Sequence, residues 1–365
     1  MISKNLLFKV KKHFPFIFIV FVWFLFSSPY FFQNKVPFAS SYLVNFFSPW
    51  SAYPGFAGPV KNNAMPDVIS QIYPWKNLTI DAYKNLEIPL WNPYSFSGTP
   101  HLANYQSAVF SPLNLLFFVL PFLDAWSTLV LLQPLFAAVF MYLYLKTLSI
   151  TKVSALLGAV AFMFCGFITT WMGYATLSYA ILFLPLCLFA IEKFYQSLRF
   201  RYLFLLSLSV FLSFTSGHFQ ISLYLLLFVF LYSIYKILET KDVKKGFYTF
   251  FYIITGLLLS SPQILPSIEA YSYSLRSIIF QRTEIIPWGY MATFFAPDLL
   301  GNPVTRNDWF GHYAEWNAFA GTSTIILSLY SLFFLKNKKI FFFIFTAIIA
   351  ILLSFPSPVI NLIVF

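Results

Sequence analysis

The 365 residues carry 59% hydrophobic and only 10% charged side chains, with a mean hydropathy of +0.74 and a formal net charge of +11. A soluble domain carries about 25% charged residues, a disordered chain has few apolar ones, and long lysine-flanked apolar runs do not match the alternating segments of an outer-membrane barrel. The composition leaves an all-α polytopic membrane protein, in which Cys165 and Cys187 sit inside apolar runs and offer neither a disulfide framework nor a metal-ligand pattern.

Crossing about 30 Å of hydrocarbon takes roughly 20 apolar residues. In chain order, such runs fall at 13–32, 124–145, 153–173, 175–195, 202–217, 219–238, 246–265, 317–335 and 340–356, so nine spans are expected. The first is too long for the apolar part of a cleaved signal peptide and no small-x-small site directly follows it, so it reads as an uncleaved anchor. With a cytoplasmic N-terminus, sixteen of the 23 basic residues fall in inner segments, while nine of the twelve acids fall in outer ones. The positive-inside rule selects that orientation. The basic balance is then a topology signal, and no nucleic-acid partner is expected. Inner loops are short, so function is expected on the two long outer segments, 33–123 and 266–316.

Within the first outer loop, Ala108 to Phe122 is apolar but broken by Pro112 and Pro121. A helix between those prolines would rise only about 12 Å, which predicts a short piece lying at the membrane interface. Upstream, Pro89-Leu-Trp-Asn-Pro-Tyr94 and Ser97-Gly-Thr-Pro100 are turn-forming, and Trp75, Trp91, Tyr73 and Tyr94 supply rings suited to the headgroup layer. Asp67 stands at an expected helix start behind Pro66, where a carboxylate serves either the helix dipole or proton transfer. Asp81 and Glu87 read as solvated charges, and Asp124 as the start of the second span.

Ser216-Gly-His-Phe-Gln220 interrupts an apolar stretch at the outer boundary, so His218 is either a helix cap or a functional group. Beyond the seventh span, Glu269 and Arg276 stand just outside the bilayer; the arginine fits a phosphate held by a paired fork or a snorkelling contact with headgroups. Asp308, His312 and Glu315 share one face if helical, a weak metal-site pattern that Gly311 weakens further.

Several ordered motifs resemble the YfhO-like bacterial membrane proteins of the polytopic glycosyltransferase superfamily GT-C. They are Pro66-Asp67 with Gln71, Tyr73, Pro74 and Trp75; Pro89-Leu-Trp91-Asn92-Pro-Tyr94 with Gly98-Thr-Pro100; Asn104, Gln106, Ser107 and Pro112-Leu-Asn-Leu-Leu116. The series continues in Gly217-His218-Phe-Gln-Ile-Ser222, Pro266-Ser-Ile-Glu269-Ala270 with Ser274-Leu-Arg276, and Pro297-Asp298-Leu-Leu-Gly301. The resemblance implies a single transmembrane catalytic domain in the bacterial cytoplasmic membrane, with a catalytic aspartate in the first outer loop. Asp67 is the matching position. It also implies a polyprenyl-phosphate sugar donor and a cell-envelope polymer, such as a teichoic acid, or a glycolipid as acceptor. Members of this family run on through further spans, so the chain is expected to be a C-terminally truncated piece. Some relatives carry paired acids in the first loop, but no acid adjoins Asp67 here, which leaves dependence on a divalent metal open.

These readings combine into an expected glycosyl transfer on the outer face. Asp67 would be the base, Arg276 and His218 would hold the donor phosphate, and Glu269 would orient Arg276. Gln71, Trp91, Asn92, Asn104, Gln106 and Asp298 are expected supporting residues, and no metal ligand is assigned. The alternative is a transporter or flippase of a lipid-linked or small polar substrate, although such proteins place charged sites near the midplane and often repeat their halves. A noncatalytic envelope scaffold is the third class.

Overall fold

The computed structural model describes residues 4–40, 47–53, 66–277, 285–303 and 312–358, and its β structure is confined there to one hairpin, β1 (Trp91–Asn92) with β2 (Thr99–Pro100). Helix α1 (Lys4–Gln33) leads to the loop helices α2 (Tyr73–Lys84) and α3 (Leu116–Val119). The short helix expected between Pro112 and Pro121 takes the form of a 3-10 turn, Pro112–Leu115, running into α3.

The bundle follows as α4 (Phe122–Thr147), α5 (Lys152–Met163), α6 (Gly166–Trp171), α7 (Leu177–Leu182), α8 (Leu184–Ser197), α9 (Arg201–Phe214), α10 (Phe219–Thr240) and α11 (Val243–Leu259). Local chemistry sets the boundaries. Thr151 caps α5 by accepting from the Ser154 N–H at 3.1 Å, and Asp242 caps α11 by accepting from the Lys245 N–H at 3.0 Å. Helix α12 (Ser261–Ser272), the single turn α13 (Tyr313–Trp316), α14 (Thr322–Tyr330) and α15 (Lys338–Ser354) complete the chain.

Five stretches are long and apolar enough to cross a bilayer: His13–Gln33, Phe122–Thr147, Lys152–Tyr174, Leu177–Ser197 and Phe219–Thr240. A sixth arises if α11 and α12, bent by 65°, form one broken span. The protein is therefore a mostly helical, multi-pass membrane protein. The run at 202–217 yields only 14 helical residues, because Gly217 at φ +101° leaves the helical region and the Thr215 hydroxyl turns back to Phe211 O at 2.9 Å. The run at 246–265 bends where Pro262, near the start of α12, has no N–H to continue the ladder. In the run at 317–335 the helix α14 begins at Thr322 rather than 317, since Asn317 Oδ1 accepts from the Phe319 N–H at 2.9 Å and Gly321 takes φ +93°.

The core lies among α4, α7, α8, α9 and α10, where Trp126, Tyr179, Phe194, Phe214 and Tyr232 are fully buried. A buried tyrosine needs a partner, and Tyr179 donates to Leu129 O at 2.7 Å. The α9–α11 crossing depends on a small residue: a Cβ at Gly256 would lie 2.6 Å from Ser207 O and 2.8 Å from Val210 Cβ. By contrast, α14 and α15 bury no residue completely.

Polar groups gather at both ends of this bundle. At one end, Glu192 of α8 pairs with Lys236 of α10 at 3.3 Å and with Lys339 of α15 at 3.1 Å. Glu239 also pairs with Lys236 and accepts from the Tyr235 hydroxyl at 2.7 Å. Helix α10 runs from this network to His218, its N-cap, about 27 Å away at 1.5 Å per residue.

Candidate functional site

Helix α2 is entered through a π turn, Val68–Ile72, which places Asp67 at its mouth. The Asp67 side chain makes no capping bond to the helix backbone; instead Oδ1 accepts from Gln71 Nε2 at 3.0 Å and Oδ2 accepts from the Tyr174 hydroxyl at 3.4 Å. Each carboxylate oxygen is thus oriented by a neutral donor, and the group remains partly accessible.

Tyr174 reaches this position because the third span ends there in a tighter turn. The chain leaves α6 through a 3-10 turn, Met172–Tyr174, and Ala175 adopts the left-handed conformation at φ +56°. Gln133 of α4 supports that turn by donating to Met172 O at 2.7 Å, satisfying a carbonyl that lost its helical partner.

The next wall is made where three segments nearly touch. A Cβ at Gly217 would lie 2.8 Å from Thr176 Cγ2 and 3.0 Å from Ala108 Cβ, and φ there is +101°. Glycine therefore lets the start of α10 close on the Thr176 break and on the turn that carries Gln106. Asn104 caps that turn, accepting from the Gln106 N–H at 3.3 Å. Lys76 of α2 ties it down from below, donating to Asn114 Oδ1 at 2.7 Å and Ser107 O at 3.3 Å. Burial pushes the Lys76 ammonium down to about 7. Beside it, His101 and the Thr79 hydroxyl are 2.8 Å apart, and burial with the Lys76 charge pushes His101 down to about 4.

His218 Nδ1 accepts from the Ile221 N–H at 3.4 Å, and burial pushes the ring down to about 4. The imidazole is then neutral near pH 7 and carries its proton on Nε2, a hydrogen-bond donor rather than a cation. The remaining wall comes from α13 and α15. The Tyr313 hydroxyl donates to Asp298 Oδ1 at 2.9 Å, and the His312 and Trp316 rings meet edge to face at 5.2 Å. The segment is docked by Gly166, whose N–H donates to Phe319 O at 2.6 Å.

These walls enclose a cavity of about 940 Å³ lined by Asp67, Gln106, Tyr174, His218, His312, Glu315 and Ser354, with Trp171, Tyr224 and Trp316 adding aromatic faces. Residues far apart in sequence therefore share one wall-to-wall space. Gln71 and Asp298 stand behind the lining as partners of Asp67 and Tyr313. Trp91 lies against Gly98 in the hairpin, and Asn92 Oδ1 accepts from the Tyr94 N–H at 2.9 Å, so both serve the loop fold and neither lines the cavity. Glu269 borders a separate hollow of about 360 Å³. The Arg276 side chain and Asp308 lie outside the described residues. Among the described residues, no group of three or more His, Cys, Asp or Glu side chains is placed to hold a metal ion.

The sequence reading missed Tyr174, Trp171 and Tyr224, since an aromatic inside an apolar run looks like any other core residue. Only Met172-Gly-Tyr174 hinted at a break. No protein-family model, curated protein or solved structure matches this chain.

Proposed function

We propose that the protein is a YfhO-like, GT-C-type membrane glycosyltransferase that moves a sugar from a polyprenyl-phosphate donor to an envelope polymer or glycolipid on the outer face of the membrane. The observation that carries the reading is the Asp67 carboxylate, held by Gln71 and Tyr174 at the edge of a large cavity beside the neutral His218. A carboxylate so placed takes the proton from an acceptor hydroxyl as its oxygen bonds to the anomeric carbon. The bond from that carbon to the phosphate oxygen breaks, its electron pair stays with the departing lipid phosphate, and a donor such as His218 Nε2–H stabilises the growing charge. Arg276, chosen from the sequence, is the cationic partner of that phosphate, with Glu269 as its orienting acid.

The orientation rests on charge. Lys146, Lys152, Arg201, Lys241, Lys244, Lys245 and Lys338 sit at helix ends remote from the cavity, as a cytoplasmic N-terminus requires. The competing class, a transporter or flippase, would place its charged groups near the midplane, whereas the Glu192–Lys236–Lys339 network lies at the end of the bundle. The test is Asp67→Asn in cells. Envelope glycosylation is lost at unchanged membrane abundance if the reading is right, and normal glycosylation by this variant rules it out.

A further inference from the structure

A second, smaller hollow of about 370 Å³ lies between α1 and the bundle, on the far side of Val68 from Asp67. Its walls are mostly apolar, with Phe26, Phe38 and Leu131 among them, and five polar residues also line it: Ser27, Tyr30, Lys35, Thr169 and Thr170. They differ in what they can offer, and the Thr169 hydroxyl already donates to Cys165 O at 3.1 Å. The Tyr30 hydroxyl donates to Asp124 Oδ1 at 2.7 Å and is committed to the protein. Lys35 is exposed, just past the end of α1 at Gln33.

Ser27 is 1% exposed, and its hydroxyl has no hydrogen-bond partner among the described residues. That is unusual in a helix, where a serine without an outside partner ordinarily bonds the carbonyl one turn back. A buried hydroxyl in the wall of a hollow is a donor for which the described residues supply no acceptor, and a turn about the serine side-chain bond would bring it to a ligand there. It sits about 9 Å before the end of α1, at 1.5 Å per residue, so the hydroxyl lies deeper than the cation. Phe26, which lines the hollow, is 39% exposed, so the hollow opens at the lipid-facing surface of α1.

Apolar depth, then a hydroxyl, then a cation at the rim is the order of groups that complements an anionic glycerophospholipid: acyl chain, ester carbonyl, phosphate. A polyprenyl phosphate has no carbonyl beneath its phosphate and leaves Ser27 unpaired. We propose that this hollow binds one acyl chain of an anionic bilayer glycerophospholipid, with an ester carbonyl on the Ser27 hydroxyl and the phosphate at Lys35. The volume falls within the range of about 300 to 1,000 Å³ found for small-ligand sites. The bound lipid would wedge α1 against α4 and the start of α2, independently of any reaction in the larger cavity.

The experiment is native mass spectrometry of the delipidated, detergent-purified chain titrated with phosphatidylglycerol, its diether analogue, phosphatidylcholine and polyprenyl phosphate. One phosphatidylglycerol per chain should be retained, and the diether, which lacks the ester carbonyl, should bind about fivefold more weakly. Ser27→Ala should abolish that ester preference, and Lys35→Gln should abolish the preference for phosphatidylglycerol over phosphatidylcholine. Because the ester comparison uses the unmodified chain, it stands even if a variant misfolds. Equal retention of ester and ether lipids, no retained lipid, or displacement of phosphatidylglycerol by an equimolar polyprenyl phosphate would overturn the assignment.

Discussion

The Tyr174 hydroxyl lies 3.4 Å from Oδ2 of Asp67, joining the end of the third span to the entry of the loop helix across 107 positions of sequence. Together with Gln71 on Oδ1, it fixes the direction in which the carboxylate presents its lone pairs. Tyr174→Phe keeps the ring and its edge contact with Trp171 at 5.2 Å while deleting the donor. Transfer should fall about fivefold in kcat with little change in KM, since roughly 1 kcal/mol of orientation is lost. An unchanged kcat removes Tyr174 from the site.

Acid should loosen the first loop. The Thr79 hydroxyl donates to Trp75 O at 2.9 Å, so it accepts from His101 Nε2–H, and Nδ1 is left as a buried nitrogen without a partner among the described residues. The folded value of about 4 lies below the ordinary 6.5, so as pH falls through that window the unfolded chain takes up the proton first. The stability His101 supports is present above 6.5 and is lost progressively toward 4. Lys76 acts in the same direction at higher pH: between about 7 and 10.5 the unfolded chain holds a proton the folded one lacks, so stability rises with pH there. Thermal unfolding in detergent across these windows is the measurement, and His101→Gln should flatten the acid limb.

The ion network at the lysine end predicts an asymmetry. Glu192 receives both Lys236 and Lys339, so Glu192→Gln leaves two cations without their shared partner, one of them on a side chain only 6% exposed. Removing one member of a buried pair costs about 3–5 kcal/mol, whereas replacing paired members together with apolar residues is often near neutral. Glu192→Gln should therefore unfold more readily than the quadruple variant Glu192→Leu, Lys236→Met, Glu239→Leu, Lys339→Met, which also removes the second acid on Lys236. The same order should appear in protease sensitivity of α15, which α8 holds through Lys339.

Helix positions were legible because apolar length is a direct physical requirement of the bilayer, and every expected run contains a helix. Lengths were less so. Whether 202–217 or 246–265 continues depends on Gly217 and Pro262, single residues whose effect is set by what packs beside them. At the site, Asp67, Gln106 and His218 stood out as polar groups in conspicuous motifs, and they share one cavity. Glu269 and Asn92 were equally conspicuous but lie elsewhere, since a motif carries no information about which way a loop folds. Tyr174 and Lys76 could not be read at all. Their roles come from burial and long-range pairing, neither of which has a sequence period.

The most direct test of the central claim reconstitutes the purified protein in liposomes with a radiolabelled polyprenyl-phosphate sugar and an envelope-polymer acceptor. Label should pass to the acceptor and leave free polyprenyl phosphate, at a rate that Asp67→Asn lowers by at least 10²-fold. Movement of intact labelled lipid or sugar across the bilayer without transfer, or transfer from a nucleotide sugar alone, would contradict the account.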